Sequence, residues 1–116
     1  MSLTEITEHT ELNRIAKLQE FLREDPNDPF NSYALALEYL KVDSKKALAI
    51  FDQLVSTHPN YLPSYYPFAH LLIEHRQDEK AESIFRQGIE MAKRLNEPKT
   101  LKELNTAYND WLLDKS

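Results

Sequence analysis

The chain has 116 residues, one glycine, no cysteine and a formal net charge of −5. This length predicts a single domain, because domains usually have about 100–150 residues. So little glycine argues against β-hairpins and phosphate-cradling loops, and the lack of cysteine excludes disulfides and thiolate metal sites. The negative charge argues against a nucleic-acid binder, which recruits Lys and Arg to phosphates. We therefore expect an all-α protein.

The composition is that of a globular chain, with 41% hydrophobic and 28% charged residues. No run of eighteen apolar residues occurs, so we expect no membrane partner. The first residues, MSLTEITEHTEL, show neither the basic start nor the apolar stretch of a secretory signal. The expected location is cytoplasmic.

Prolines at 26, 29, 59, 63, 67 and 98 divide the sequence into helix-length segments. Apolar residues at helical spacing predict a first helix over residues 10–24. Residues 1–9 precede it as an N-terminal segment that is either mobile or folded into a groove, where Leu3 and Ile6 would be buried.

Two helices are predicted between the prolines at 26 and 59. The second helix spans residues 29–41, because Asp28 is a suitable N-cap and Pro29 suits the first helical position. The third helix ends before residue 57, and either Asp43 or Ser44 caps its start.

The fourth helix opens at Pro63 and reaches about Arg76, with a local distortion expected at Pro67. A fifth begins at residues 77–78 and continues to Asn96.

The sixth helix, over residues 98–113, has an apolar side formed by Leu101, Leu104, Ala107, Tyr108, Trp111 and Leu112. Its polar residues are expected to face water as a solvating cap: Lys99, Lys102, Glu103, Asn105 and Asp110.

The sequence repeats itself with a period of 33–34 residues. Leu35, Ala36 and Tyr39 return at a shift of 33 as Phe68, Ala69 and Leu72, and Ala47 and Phe51 return at a shift of 34 as Ala81 and Phe85. The extra residue falls in the connection between paired helices, which is shorter at Val42 and Asp43. Such a period, with two helices in each unit, is typical of stacked helical repeats. Small residues at 36, 47, 69 and 81 would let the paired helices approach closely.

In this pattern the chain resembles the tetratricopeptide repeat (TPR) family. The positions that match are Leu35, Ala36, Tyr39, Ala47, Phe51 and Pro59 in the first unit, and Tyr65, Phe68, Ala69, Leu72, Ala81, Phe85 and Gly88 in the second. Ser32 and Lys93 depart from it, because they stand where the family has a large residue and a closing proline. The resemblance covers about residues 11–113. It implies a short right-handed superhelical array of antiparallel helix pairs, with about six helices, that recognises other proteins.

The resemblance also implies the domain organisation. The TPR-like domain would span residues 10–113, with a half unit at 10–24, a first unit at 29–59, a second at 62–96 and a capping helix at 98–113. Two complete units bury too little surface alone, because about three repeats are needed for stability. The half unit and the capping helix would supply the missing packing partners.

The middle of the chain is aromatic and poor in charge. Residues 30–75 hold eight of the twelve aromatic residues and seven of the thirty-three charged ones. With the geometry of the family, a concave groove would be lined by Phe30, Tyr33, Leu37, Leu40, Tyr66, His70 and Ile73. An aromatic groove with few charges suits an apolar peptide or an amphipathic helix.

Chaperone-binding TPR proteins hold a C-terminal carboxylate with Lys, Asn and Arg in the groove. The matching positions here are Tyr33, Leu37, Tyr66, Pro67 and His70, so an acidic chaperone tail is not expected to bind. Three occupants of the groove stay open: a separate protein or peptide, the N-terminal segment of the chain itself, or a second copy in a symmetric homodimer.

An alternative hypothesis is a metal-dependent enzyme or a metal site around His70 and Glu74, which lie one helical turn apart. The zinc-protease pattern and the glycine-flanked serine of hydrolases are both absent from the sequence. Binding of RNA by a helical repeat is a further alternative, disfavoured by the acidic charge. We predict a non-catalytic protein without cofactor, metal or nucleic-acid partner.

Overall fold

The computed structural model describes residues 2–116, apart from the side chains of residues 4–9. These residues form six α-helices and one 3-10 helix, and no strand is found among them, as expected for an all-α protein. The helices are α1 (Leu3–Glu24), α2 (Pro29–Val42), α3 (Ser44–Thr57), a 3-10 helix (Leu62–Ser64), α4 (Tyr65–Glu74), α5 (Asp78–Arg94) and α6 (Pro98–Lys115). They form two compact units, one ending at Thr57 and the other beginning at His58.

None of the helices formed by residues 2–116 combines the length and the apolar character that a membrane span requires.

Helix α1 begins at Leu3, so the predicted boundary at residue 10 is wrong. No glycine or proline lies between these positions, and nothing in the local sequence stops the helix from extending toward the N-terminus. Leu3 is 83% exposed and therefore fills no groove. The side chain of Ile6 lies outside the described residues.

In the first unit, α2 and α3 form a helical hairpin and α1 packs against α2. Asp28 caps α2 as predicted, because its Oδ1 accepts a hydrogen bond from the amide of Phe30 at 3.0 Å. Asp43 alone connects α2 to α3, and its Oδ1 accepts a hydrogen bond from the amide of Lys46 at 3.3 Å. Asp43, rather than Ser44, is therefore the cap of α3.

Small residues bring α2 and α3 together in this hairpin. Ala36 and Ala47 are fully buried, as the repeat pattern predicted, and so is Phe51. Tyr39 is also buried, and its hydroxyl accepts a hydrogen bond from Nε2 of Gln19 in α1 at 3.0 Å. The buried apolar residues of this unit are Ile15, Leu35, Ala36, Tyr39, Ala47, Phe51, Leu54 and Val55.

One charged side chain of α1, Glu11, is buried. Its Oε1 accepts hydrogen bonds from Nζ of Lys41 at 3.4 Å and from Nη1 of Arg14 at 3.5 Å, and Lys41 also pairs with Glu38 at 3.3 Å. Hydrogen bonding with Glu38 and the charges of Lys41 and Arg14 hold the pKa of Glu11 below its ordinary value of 4.5, although burial opposes this shift. Ionised Glu11 therefore stabilises the contact between α1 and α2.

The variant Lys41→Met tests this cluster, because it removes the cation shared by Glu11 and Glu38 and keeps an apolar stem. A lowered pKa means that the stabilisation is present above pH 4.5 and is lost as the pH falls through the lowered value. We expect Lys41→Met to be less stable than the wild type at about pH 7, with a difference that shrinks toward about pH 3. Urea unfolding followed by circular dichroism measures the free energy of unfolding of the variant and of the wild type at each pH. Equal losses at both pH values, or the same loss in the α3 control Lys45→Met, would contradict the assignment.

In the second unit, α4 and α5 form the hairpin and α6 packs against α5. Pro63 lies in the 3-10 helix and α4 begins at Tyr65, slightly later than predicted. The departure from α geometry thus lies at residues 62–64, just before the expected position. Pro67 is the third residue of α4, where an amide hydrogen would have no partner within the helix.

Helices α4 and α5 end in the same type of hydrogen-bonded turn. The residue after each cap has a positive φ, 59° at Arg76 and 56° at Asn96. The amide of Gln77 donates to the carbonyl of Leu72 at 2.9 Å, and the amide that follows Asn96 makes the equivalent bond. The connection from α4 to α5 is therefore longer than the single residue between α2 and α3, at the place where the repeat gains a residue.

The core of the second unit surrounds Tyr65 and Gly88. Its buried apolar residues are Leu62, Tyr65, Phe68, Ala69, Leu71, Leu72, Ala81, Ile84, Phe85, Ala92 and Leu104. The hydroxyl of Tyr65 donates a hydrogen bond to the carbonyl of Pro59 at 2.5 Å, and burial raises the pKa of this hydroxyl. A Cβ atom on Gly88 would lie 2.8 Å from Cβ of Tyr65 and 3.0 Å from Cδ1 of Leu104. The single glycine of the chain thus stands at a close contact of α5 with α4 and α6.

The variant Gly88→Ala tests this close approach. Helix propensity alone favours alanine by about 0.8–1.0 kcal/mol, whereas overpacking a core costs about 1–3 kcal/mol. Cβ of Tyr65 is tied to the backbone and cannot rotate away, so we expect a net loss of stability, measured by thermal and urea unfolding. Ala49→Gly at an exposed position of α3 is the control, with an expected loss of about 1 kcal/mol from propensity. A more stable Gly88→Ala would contradict the packing described.

Candidate functional site

An open cleft of about 470 Å³ lies in the second unit. Helix α4 contributes Tyr66, and α6 contributes the remaining lining residues, Lys102, Glu103, Thr106, Ala107 and Asp110. The side chain of Tyr66 is 45% exposed, so an aromatic surface is open to solvent at this cleft.

Tyr66 and its neighbour Tyr65 have opposite environments. Successive residues of an α-helix point in directions about 100° apart, and here Tyr65 is 1% exposed whereas Tyr66 is 45% exposed. The ring of Tyr66 packs on that of His70 one turn later, with centroids 4.4 Å apart. The rings of His70 and Phe85 form a T-shaped pair with centroids 6.4 Å apart, and Phe85 is fully buried in α5. The exposed tyrosine is therefore connected to the core through His70.

Phe85 also contacts two aromatic rings of α6. Its centroid lies 5.3 Å from that of Tyr108 and 5.9 Å from that of Trp111. The ring contacts extend from α4 through α5 to α6. Phe85 therefore packs against rings from both helices that line the cleft, α4 and α6.

Polar contacts fix α6 to α5 beside these rings. The hydroxyl of Tyr108 donates to Oε1 of Glu82 at 2.9 Å and accepts from Nε of Arg86 at 3.2 Å. Arg86 also pairs with Glu82 at 2.8 Å, and the hydrogen bond to Tyr108 and the charge of Glu82 raise the pKa of Arg86. Near the end of α6, Lys115 pairs with Asp78 at 3.5 Å and lies 4.4 Å from the centre of the Trp111 ring.

The lining residues of α6 are not among the predicted groove residues, because Lys102, Glu103 and Asp110 were expected to face water as part of a cap. A shift of 36 residues would have found part of this wall. It carries the core residues Tyr65, Phe68 and Leu72 onto Leu101, Leu104 and Tyr108, and it carries Tyr66 and His70 onto Lys102 and Thr106. Helix α6 therefore repeats the pattern of α4. Lys102 and Thr106 correspond to predicted groove residues, whereas Glu103, Ala107 and Asp110 correspond to Pro67, Leu71 and Glu74 and are not found by this shift.

Three of the predicted groove residues lie in the second unit. The structure brings Tyr66 and His70 into contact, but Tyr66 alone of the three lines the cleft. His70 is exposed beside it, and Ile73 is half-buried.

The other four predicted groove residues, Phe30, Tyr33, Leu37 and Leu40, follow one face of α2 in the first unit. Phe30 is 58% exposed and Leu40 is 36% exposed, whereas Tyr33 and Leu37 are half-buried. That all seven residues line one common groove stays a prediction.

The metal-site alternative gains no support from the described residues. His70 and Glu74 are both exposed. In the part of the chain that the structure describes, no group of three or more His, Asp and Glu side chains is arranged to hold a metal ion. Two side chains one turn apart supply too few ligands for the usual protein zinc site.

Two solved structures of a tetratricopeptide repeat domain protein from Salinibacter ruber are each 41% identical to this chain. The solution NMR structure aligns with a TM-score of 0.70 over 74% of this chain and 88% of its own. The crystal structure aligns with a TM-score of 0.66 over 70% of this chain and 92% of its own. The chain belongs to the tetratricopeptide repeat family. The resemblance found in the sequence is thereby confirmed.

Two more distant TPR-like structures share the fold. The TPR2B domain of yeast Sti1, solved as a complex with pHsp70, is 18% identical, with a TM-score of 0.77 over 90% of this chain and 84% of its own. MamA is 19% identical, with a TM-score of 0.62 over 87% of this chain and 66% of its own. Neither a protein-family model nor a curated protein matches the chain.

Alanine variants of the two adjacent tyrosines of this TPR protein test whether Tyr65 belongs to the core and Tyr66 to the surface. Tyr65→Ala should cost about 3–5 kcal/mol of unfolding free energy, as loss of a large buried aromatic side chain does. Tyr66→Ala should cost less than about 1 kcal/mol, because its ring is half exposed. Urea unfolding followed by circular dichroism and by the fluorescence of Trp111 compares them. A large loss for Tyr66→Ala would show that Tyr66 belongs to the core instead.

Proposed function

We propose that this TPR protein is a non-catalytic protein-interaction module that binds a peptide or a helix of another protein at the face carrying Tyr66. The observation that carries the proposal is the half-exposed ring of Tyr66, supported by His70 at the edge of a cleft of about 470 Å³.

The packing of Tyr66 favours binding energetically. A tyrosine offers a large contact area with few rotatable bonds, and tyrosine is enriched among the residues that dominate interface energies. The contact with His70 already restricts the ring, so less side-chain entropy is lost when a partner covers it. The apolar face of α2, with Phe30 and Leu40 exposed, offers a second surface of the same character.

The distant Sti1 domain supports recognition of a polypeptide as the function, because that domain is seen in complex with pHsp70. The partner of this chain is proposed to be different. The positions that correspond to the carboxylate clamp of chaperone-binding members are Tyr33, Leu37, Tyr66, Pro67 and His70, which include no Lys, Asn or Arg.

Self-association into a homodimer is the second form of this proposal. Exposed Phe30, Leu40 and Tyr66 are large apolar or aromatic groups, of the kind that a second copy of the chain would cover. Both forms use the same residues, so the same variants test them. Loss of a captured partner indicates binding of another protein, and a shift from dimer to monomer indicates self-association.

Tyr66→Ala and Tyr33→Ala test the function. We expect each variant to keep its helix content and to lose partner capture from an extract of the native cell, or to shift from dimer to monomer in analytical ultracentrifugation. A central aromatic side chain is worth about 2 kcal/mol or more at an interface, which is about a thirtyfold loss of affinity.

Phe21→Ala is the matched control, because Phe21 is an exposed aromatic residue of α1 outside the predicted groove. It should behave like the wild type. Unchanged capture and unchanged oligomeric state in both tyrosine variants would rule out binding through these faces.

A further inference from the structure

The charges of the α6 wall define which partner chemistry fits the cleft at Tyr66. Glu103, Ala107 and Asp110 follow one stripe of α6 at spacings of four and three residues, and Lys102 and Thr106 form the neighbouring stripe. The cleft is therefore lined by one aromatic ring, two carboxylates and a single cation.

The two carboxylates are available to a ligand. None of the ion pairs among the described residues involves Glu103 or Asp110, and both side chains are exposed. Lys102 forms an ion pair with neither, so the lining keeps an excess of negative charge. The net charge of −5 on the whole chain adds a long-range field that attracts cations and repels anions.

We propose that this cleft takes a cationic side chain, arginine or lysine, from the bound polypeptide. The ring of Tyr66 meets the apolar stem and the face of the charged group, as aromatic rings do in cation–π contacts. Glu103 and Asp110 accept hydrogen bonds from the cation, and an arginine can use its fork of donors on both. The inference rests on the proposed function, because it names the chemistry of the partner at the same site.

An anionic ligand fits the cleft less well. It would meet the single cation of Lys102, but it would lie beside two carboxylates without compensating partners. The lack of a carboxylate clamp and the two carboxylates of the cleft both disfavour an acidic partner and favour a basic one. The clamp positions of this TPR protein hold no Lys, Asn or Arg, and the cleft beside Tyr66 adds two carboxylates.

The test uses synthetic leucine and serine peptides that carry arginine, glutamine or glutamate at every third position, with blocked ends. Binding is measured by fluorescence anisotropy of labelled peptides at physiological salt, where long-range attraction between exposed charges is largely screened. We expect the arginine peptide to bind tightest and the glutamate peptide weakest.

The double variant Glu103→Gln, Asp110→Asn should lower affinity for the arginine peptide about tenfold, through the loss of two charge-assisted contacts. Glu90→Gln, Glu97→Gln is the matched control, because it makes the same change of net charge at exposed positions outside the lining. It should change affinity by less than about twofold. Circular dichroism verifies that both double variants fold.

An equal loss of affinity in the two double variants would overturn the inference, because attraction would then follow net charge rather than the cleft. Equal binding of the glutamine and arginine peptides would also overturn it. If that binding were still abolished by Tyr66→Ala, the proposed function would stand without the cationic preference. Failure of all three peptides to bind overturns the preference as well, and capture from the native extract then decides the function separately.

Discussion

The second unit depends on the close approach of three helices at Gly88, where Tyr65 occupies the space that a Cβ atom would need. Tyr65 is fixed there by burial and by the hydrogen bond from its hydroxyl to the carbonyl of Pro59. Tyr66 points about 100° away from Tyr65 around the helix axis, and it is 45% exposed. Leu104, the one buried residue of α6, meets the same point, so the helix that forms the second wall of the cleft is placed by the same contact.

A connected set of rings links this core to the site. Tyr66 packs on His70, His70 on Phe85, and Phe85 on the two rings of α6. The exposed ring of Tyr66 is thus connected by ring contacts to the buried side chain of Phe85. Helix α6 has little buried surface of its own, so its position depends on these rings and on the contacts of Tyr108 with Glu82 and Arg86. A helix with so few buried residues is expected to open more readily than α4 or α5, and a ligand bound at the cleft would stabilise it.

The first unit uses the same repeat with different details. Its helices α2 and α3 are joined by Asp43 alone, whereas the hairpin of α4 and α5 uses a longer turn with Arg76 in the left-handed region. Leu54 is buried at the position that corresponds to Gly88, and Ser32 stands at the position that corresponds to Tyr65, so the large and the small residue are exchanged between the units. One repeat pattern therefore supports two different solutions of core packing. The solution of the second unit places an aromatic residue at a cleft.

The sequence by itself determined the helices, the hairpins, the repeat and the family. Helical periodicity, the prolines and the caps are local signals, and small residues at 36, 47, 69 and 81 mark close helix contacts in any repeat of this type. It also predicted that Tyr66 and His70 share one face, and the two rings are in contact. The start of α1 was missed, because residues 3–9 contain neither a stop signal nor a strong apolar pattern.

Only the tertiary structure decided which side chains form the cleft. On the sequence, Lys102, Glu103 and Asp110 are polar residues of a terminal helix, and solvation explains them fully. Their role depends on the rotation of α6 about its own axis, which the contacts of Leu104, Tyr108 and Trp111 with the rest of the unit set. Those contacts join residues far apart in the chain, and local periodicity carries no information about which polar stripe of a helix will face an aromatic residue on another.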